Sequence, residues 1–191
     1  MERIDKIFCL GNFGIEFVKV GKNLYKYYGG SGYRFSLFAS FYSPLVVFSI
    51  AGPYKKWQKI IKLLQSYKVD TRNIIHSQKE IKFITSYDSK REKQVNYEIK
   101  NRDIMRKMCK FSNKLKFQKG VLFHICPLDF EVQRKYVEMA KKKSALVSMQ
   151  FHFSSINGKK TEDYVNLIKK VDYLFLNKKK KQKKSFQSKD I

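Results

Sequence analysis

Val121-Leu-Phe-His-Ile-Cys-Pro-Leu-Asp-Phe-Glu-Val-Gln-Arg-Lys-Tyr-Val-Glu-Met-Ala-Lys-Lys-Lys-Ser-Ala-Leu-Val-Ser-Met149 holds two short apolar runs, 121–125 and 145–149. Between them Val132, Tyr136 and Met139 recur at helical spacing. Short β-branched and aromatic runs are strand-type, and a period near 3.6 is helix-type. Asp129 stands where a helix N-cap is expected. Thr161 takes the same place ahead of Val165 and Ile168, and Tyr173-Leu-Phe-Leu176 supplies a third strand. Strand, helix, strand, helix, strand in this order favours right-handed crossovers and a parallel sheet covered on both faces, an α/β fold.

Toward the N-terminus, Ile81 to Tyr87 and Val95 to Ile99 read as a strand pair joined by the polar segment Asp88-Ser-Lys-Arg-Glu-Lys93. Ile104, Met108, Phe111 and Leu115 mark a weaker helix. Trp57, Ile60, Ile61, Leu64 and Tyr67 define the clearest amphipathic helix, with Lys68-Val-Asp-Thr71 as its exit. Leu45-Val-Val-Phe-Ser-Ile50, closed by Ala51-Gly52-Pro53, reads as a central strand meeting a turn. Ile7 to Leu10, ending at Gly11, and Glu16 to Val20, before Gly21, are two more strands, and a helix is expected to follow Gly29, Gly30 and Gly32. Open α/β sheets bind ligands beyond the carboxyl ends of their strands. That places Asn12 and Gly14, Gly52, Cys126 to Asp129, Gln150 to His152, and Asn177 in view.

The chain has 191 residues, 43% of them hydrophobic and 15% aromatic, ample for one buried domain and too apolar for a disordered protein. Residues 1–176 are expected to form that domain, lid strands included, and the lysine-rich 177–191 a disordered tail. The formal charge is +25, of which the tail contributes +6 and leaves +19 on the body. A field of that size attracts polyanions, so nucleic acid is one reading of the charge. Lysines such as Lys55, Lys56, Lys59, Lys62 and Lys68 surround a helix rather than lining one face, which favours a lysine-rich solvated surface. Cys9, Cys109 and Cys126 are odd in number and without C-x-x-C spacing, and read as free thiols in a reducing compartment. The N-terminus has no signal-peptide pattern and no apolar run reaches the length of a membrane span, so a cytoplasmic protein without a membrane partner is expected. His76, His124 and His152 lack partners at ligand spacing, so no metal site is expected, and Ser31, Ser154 and Ser155 lack a G-x-S-x-G frame.

Gly29-Gly30-Ser31-Gly32 is neither a Walker loop nor a G-x-G-x-x-G turn. Its context is more specific. Gly11, Glu16, Gly29-Gly30 before a helix, Val46-Val-Phe-Ser-Ile-Ala-Gly52, an amphipathic helix, Tyr67-Lys-Val-Asp-Thr71 and Val171-Asp-Tyr-Leu-Phe-Leu-Asn177 follow one another in an order that resembles the N-terminal portion of the ribokinase-like (PfkB) carbohydrate kinases. The resemblance implies a three-layer α/β/α, Rossmann-like, mostly parallel sheet with a small β lid, incomplete here. It implies transfer of the γ-phosphoryl group of ATP, with Mg2+, to a hydroxyl of a sugar or nucleoside.

Carried onto this chain, Glu16 takes the place of the acid that binds substrate hydroxyls, and Gly29 and Gly30 that of the glycines whose backbone approaches the substrate. Arg34 and Gln150 fall where the family often has a substrate-binding asparagine and an aspartate, and Glu16 itself replaces the usual aspartate. Asn177 matches the asparagine of an Asn-x-x-Glu motif that organises magnesium and phosphate, but its glutamate falls on Lys180, a cation that repels magnesium. The sequence contains no Gly-Ala-Gly-Asp, the motif that carries the family's catalytic aspartate at a helix N-terminus, so no catalytic residue is assigned. The expectation is therefore a truncated kinase, weak or inactive alone, with a small-molecule sugar or nucleoside as substrate and a homodimer through the lid strands as a further partner. The alternatives are a sugar- or nucleoside-binding module without catalysis and a basic nucleic-acid-associated protein.

Overall fold

Each apolar run of the chain finds its partners at long range. The computed structural model describes residues 3–90, 94–151 and 161–176. Its main sheet holds β1 (Lys6–Leu10), β4 (Leu45–Ala51), β5 (Val69–His76), β8 (Val121–Ile125), β9 (Leu146–Phe151) and β10 (Tyr173–Leu176). The six strands lie in the order β10-β9-β8-β1-β4-β5, and every pairing is parallel.

Alternation along these strands sends side chains to two cores. Ile7, Cys9, Leu45 and Val47 face helices α1 (Ser31–Ala39) and α2 (Tyr54–Ser66), where Trp57, Ile61 and Leu64 are buried. Phe8, Leu10, Phe48, Phe123, Val147 and Met149 face the other way. They pack under α4 (Phe130–Lys141), α5 (Thr161–Ile168) and the short α3 (Asp103–Arg106), which runs into a 3-10 helix, Lys107–Asn113. A sheet buried on both faces reads as near-continuous apolar runs, which is how its strands announce themselves. The result is three layers, α/β/α.

A second sheet is inserted after β1 and again after β5. It contains β2 (Gly14–Val20), β3 (Asn23–Gly29), β6 (Ile81–Tyr87) and β7 (Gln94–Lys100) in the order β3-β2-β6-β7. β2 pairs antiparallel with β3 and parallel with β6, and β6 pairs antiparallel with β7. This is the small β lid.

Several local expectations need correction. β3 forms in a stretch where no strand is expected, and Lys68-Val-Asp-Thr71 is more than a helix exit. Lys68 takes the left-handed turn that ends the helix, at φ 59°, and β5 begins at Val69. The segment around Ile104 to Leu115 is one α-turn followed by 3-10 helix instead of a continuous α-helix. Asp129 occupies the N-cap position of α4 but makes no side-chain capping bond there. No helix among the described residues is long and apolar enough to cross a membrane.

Candidate functional site

Where the lid sheet faces the carboxyl ends of β1, β8 and β9, the two sheets enclose a cleft of about 710 Å³. Its floor is built around Asn12, directly after β1. The Asn12 carbonyl accepts the Gly32 N–H at 3.0 Å, and its Oδ1 accepts the Ser31 N–H at 3.2 Å and the Ser31 hydroxyl at 3.3 Å. Its Nδ2 donates to the Pro127 carbonyl at 3.4 Å. Helix α1 has no side-chain cap of its own. A residue distant in sequence therefore satisfies its first amides, and the same side chain ties that helix to the loop after β8.

The glycines are dictated by this floor. Gly30 has φ 95°, and a Cβ on it would lie 2.5 Å from the Asn12 carbonyl oxygen. A Cβ on Gly29 would lie 2.3 Å from Glu16 Oε1. Glu16, from β2, folds its carboxylate over the glycine pair. Oε1 accepts the Gly30 N–H at 3.0 Å, and Oε2 is paired with the Arg34 guanidinium from α1. Glu16 is mostly covered, with 18% of its side chain exposed, and Arg34 presents 59% of its side chain to the cleft. The carboxylate thus has both oxygens engaged, while the guanidinium keeps donors for a ligand.

The lid lines the opposite wall with one face of its pleat. Strand register places Glu16, Phe83 and Ile99 in one row and Val18, Thr85 and Tyr97 in the next, all turned into the cleft. Phe35 and Phe38 of α1 extend this wall. Burial, and behind it the charge of Glu16 across the cleft, push the Tyr97 hydroxyl above its ordinary value, with Arg102 pulling the other way. It stays protonated at neutral pH.

On the far side Asp129 accepts from Arg102 Nε at 2.9 Å and Nη2 at 2.6 Å, and its second oxygen lies 3.5 Å from Arg106 Nε. The carboxylate that sequence position offers as a cap is instead committed to the two arginines that follow β7, linking the lid's exit to α4. Gln150 lines the floor at the end of β9. Its carbonyl, and that of Cys126, are held by the buried Gln133 at 3.2 and 3.0 Å.

Of the candidate residues, Glu16, Gly30, Arg34 and Gln150 line one cleft, and Gly29 lies directly beneath the Glu16 carboxylate. Asn177, Lys180, His152, Ser154 and Ser155 lie outside the described residues. His124 is buried at 2% exposure, its ring stacked on Phe35 at 3.6 Å and its Nδ1 bonded to the Ser148 hydroxyl at 2.9 Å, a core position behind the cleft wall that Phe35 forms. His76 bonds the Gly52 carbonyl. Among the described residues no group of three or more His, Cys, Asp or Glu side chains could hold a metal ion. The two carboxylates that line the cleft, Glu16 and Asp129, are each paired with arginine, so neither is free for the magnesium that the resemblance implies. Sequence reading missed Gln133, hidden inside a helical period, the Asp129 pairing with Arg102 and Arg106, and the lid aromatics, whose common face depends on register.

No family model and no curated protein sequence matches the chain. Solved structures do. A nucleoside kinase of Methanocaldococcus jannaschii, an archaeal member of the ribokinase family, superposes with a TM-score of 0.68 at 17% identity, over 93% of this chain and 62% of its own. A nucleoside kinase of Burkholderia thailandensis in complex with inosine gives 0.69 at 9% identity, over 89% and 58%. A fructokinase of Xylella fastidiosa with bound ATP gives 0.61 at 14% identity, over 91% and 61%. The chain spans about three fifths of the length of these structures. Layer order, all-parallel sheet, inserted lid and superposition agree: this chain has the fold of the ribokinase-like sugar and nucleoside kinases.

Proposed function

We propose that the cleft is the phosphoryl-acceptor site of a ribokinase-like kinase, that its ligand is a nucleoside or sugar, and that ATP is the phosphoryl donor of the complete reaction. The observation that carries this reading is the two-sided wall. A polar floor of Asn12, Arg34 and Gln150, over which β2 extends the Glu16 carboxylate, faces the apolar and aromatic lid residues Phe83, Tyr97 and Ile99, with Phe35 between them. Such a cleft suits a ligand with a hydroxylated end and a flat apolar end, and a nucleoside fits it better than a bare sugar. The similarity to an inosine complex supports the same choice, and similarity to a fructokinase with bound ATP supports the donor. The described residues supply acceptor binding and lid closure. No acid among them is free to act as a base toward a bound hydroxyl in the cleft, since Glu16 and Asp129 are both held by arginine.

Isothermal titration of the full chain with inosine, adenosine, ribose and fructose tests the proposal. Saturable binding of a nucleoside, weakened about tenfold or more in Glu16→Gln, is expected. Gln keeps an oxygen for the Gly30 N–H while losing the charge that holds Arg34, so the fold survives the substitution. Absence of binding by any of the four ligands to the folded wild-type chain would remove the reading.

A further inference from the structure

Directly beneath the cleft floor two cysteines face each other. Cys9 of β1 and Cys126, the residue after β8, hold their sulfurs 3.9 Å apart, and neither exposes any surface. The geometry follows from register. β1 and β8 run parallel with Cys9 opposite His124, so Cys126, two residues on, lies on the same face of the sheet and diagonal to Cys9. Its backbone N–H continues the ladder to the Leu10 carbonyl at 2.9 Å. Gly11 makes the room, since a Cβ there would lie 2.6 Å from the Cys126 sulfur. The first turn of α1 closes the chamber from above, with the Gly32 carbonyl 3.9 Å from the Cys9 sulfur.

We propose that Cys9 and Cys126 are a redox switch beneath the cleft, closing to an intramolecular disulfide when a hydroperoxide reaches them and reopening with thiol. Both sulfurs already sit on one face of adjacent strands, 3.9 Å apart, and closing them to the ~2 Å of a sulfur–sulfur bond draws the backbone at Cys126 toward β1, because diagonal neighbours start about 7–8 Å apart at Cα. Ser31, Asn12 and Pro127 line the cleft, and the Ser31 side chain also reaches the Cys126 thiol, so a single residue bridges the cleft and the sulfur. A peroxide-sized molecule passes it on local opening, whereas bulky alkylating reagents do not.

The two thiols have unequal roles. Burial acts to raise both. At Cys126 the hydrogen bond from Cys9 and the neighbouring His124 ring outweigh burial and favour the thiolate, whereas at Cys9 burial and the Cys126 charge act together to hold the proton. The Cys126 thiolate attacks one peroxide oxygen, the O–O bond breaks, hydroxide leaves, and a sulfenic acid remains. The Cys9 sulfur then attacks the Cys126 sulfur. Its proton goes to the departing hydroxyl, water leaves, and the pair of thiols has given two electrons to the peroxide. The readout lies close by. The Cys126 carbonyl is bonded to Gln133 and the Pro127 carbonyl to Asn12, so moving Cys126 acts on the floor and on the cap of α1.

Hydrogen peroxide treatment of the full chain, followed by denaturing alkylation, intact mass and peptide mapping, tests this without reference to any ligand of the cleft. The expected product has lost two hydrogen atoms, links the Cys9 and Cys126 peptides, leaves Cys109 alkylated, and reverts with dithiothreitol. Cys109→Ser keeps the loss and Cys126→Ser abolishes it. In Cys9→Ser, dimedone is expected to label Cys126. Should a cysteine variant fail to fold, the wild-type map decides alone. Oxygen accumulating on Cys126 while Cys9 stays alkylatable, a link through Cys109, or no reaction at the pair would overturn the proposal. So would a disulfide that forms yet leaves amide hydrogen exchange across residues 126–133 unchanged, since the bond would then not be a switch.

Discussion

At the scale of single residues the cleft rests on positions that tolerate almost no side chain. Gly30 combines φ 95° with a Cβ position 2.5 Å from a backbone carbonyl, and backbone cannot step aside as a flexible side chain can. Gly30→Ala is therefore expected to cost about 2–3 kcal/mol in thermal or urea unfolding, from left-handed strain and from displacement of the Asn12 cap. A loss under half a unit would mean that the floor relaxes freely. On the opposite side of the molecule, hydrogen bonds from the Arg72 side chain outweigh partial burial and hold the Asp70 carboxyl below its ordinary 3.8, with the Arg72 backbone N–H and charge assisting. A carboxylate more acidic in the folded state adds stability above its unfolded pKa and loses it as pH falls through the folded value. Asp70→Asn should lower stability at neutral pH by a modest amount, because the pair is largely solvated. The gap from wild type should close on the acid side, and denaturation curves at neutral pH and below about pH 3 give the comparison. A gap that stays constant with pH would assign Asp70 a packing role instead.

Among elements, α4 is fastened to the 3-10 helix by one buried bond, in which the Tyr136 hydroxyl donates to the Met108 carbonyl at 2.6 Å. Burial raises the Tyr136 pKa, so the phenol remains a donor throughout the neutral range. Tyr136→Phe keeps the ring against Phe123 and removes only the donor, so urea unfolding should show a loss of about 1–2 kcal/mol with an unchanged slope. A change in slope would point to partial detachment of the helix. Ile104, Met108, Phe111 and Leu115 are all buried, so their spacing correctly picks the inward-facing positions of this segment, yet it winds as 3-10 helix from Lys107 to Asn113. The winding is set by tertiary packing, which a local window does not contain. β1, β4, β8 and β9 were legible as apolar runs because they are buried on both faces, and β2, β6, β7 and β10 were legible through their β-branched and aromatic residues although β7 and β10 are mostly exposed. β3 was illegible because six of its seven residues are exposed, so its tyrosines and lysine carry no inward-facing period. β5 is an edge strand that mixes Asp70, Arg72 and Asn73 with its apolar residues, and its start reads as the exit of α2 until β4 is beside it. In the cleft, Asn12 and Gln150 could be singled out by their places at strand ends, and Glu16, Gly30 and Arg34 by the family resemblance. The lid wall could not, because which of Phe83, Tyr97 and Ile99 face inward depends on a register that only pairing determines.

The whole molecule carries 41 basic side chains against 16 acidic ones. Even if every acid were paired, 25 cations would remain without an opposite charge, and they are spread over both the body and the 177–191 segment. The ion pairs that do form are mostly solvent-exposed, such as Arg134 with Glu131 and Lys170 with Glu138, and exposed pairs contribute at most about 1 kcal/mol each. Repulsion among the excess cations acts over longer distances than any of these contacts, and unfolding relieves it by letting the charges separate. Salt screens both terms, with a screening length of about 10 Å at 0.1 M that falls to about 3 Å at 1 M. Because the unpaired excess outnumbers the pairs, screening should remove more repulsion than attraction. Stability should therefore rise with sodium chloride, by about 1 kcal/mol or more between roughly 20 mM and 500 mM, in contrast to the fall expected of a chain held by surface ion pairs. Urea denaturation at the two salt concentrations measures it. A decrease would mean that the arginine pairs around the cleft, Arg34 with Glu16 and Arg102 with Asp129, outweigh the net charge, and ligand affinity should then fall with salt in parallel.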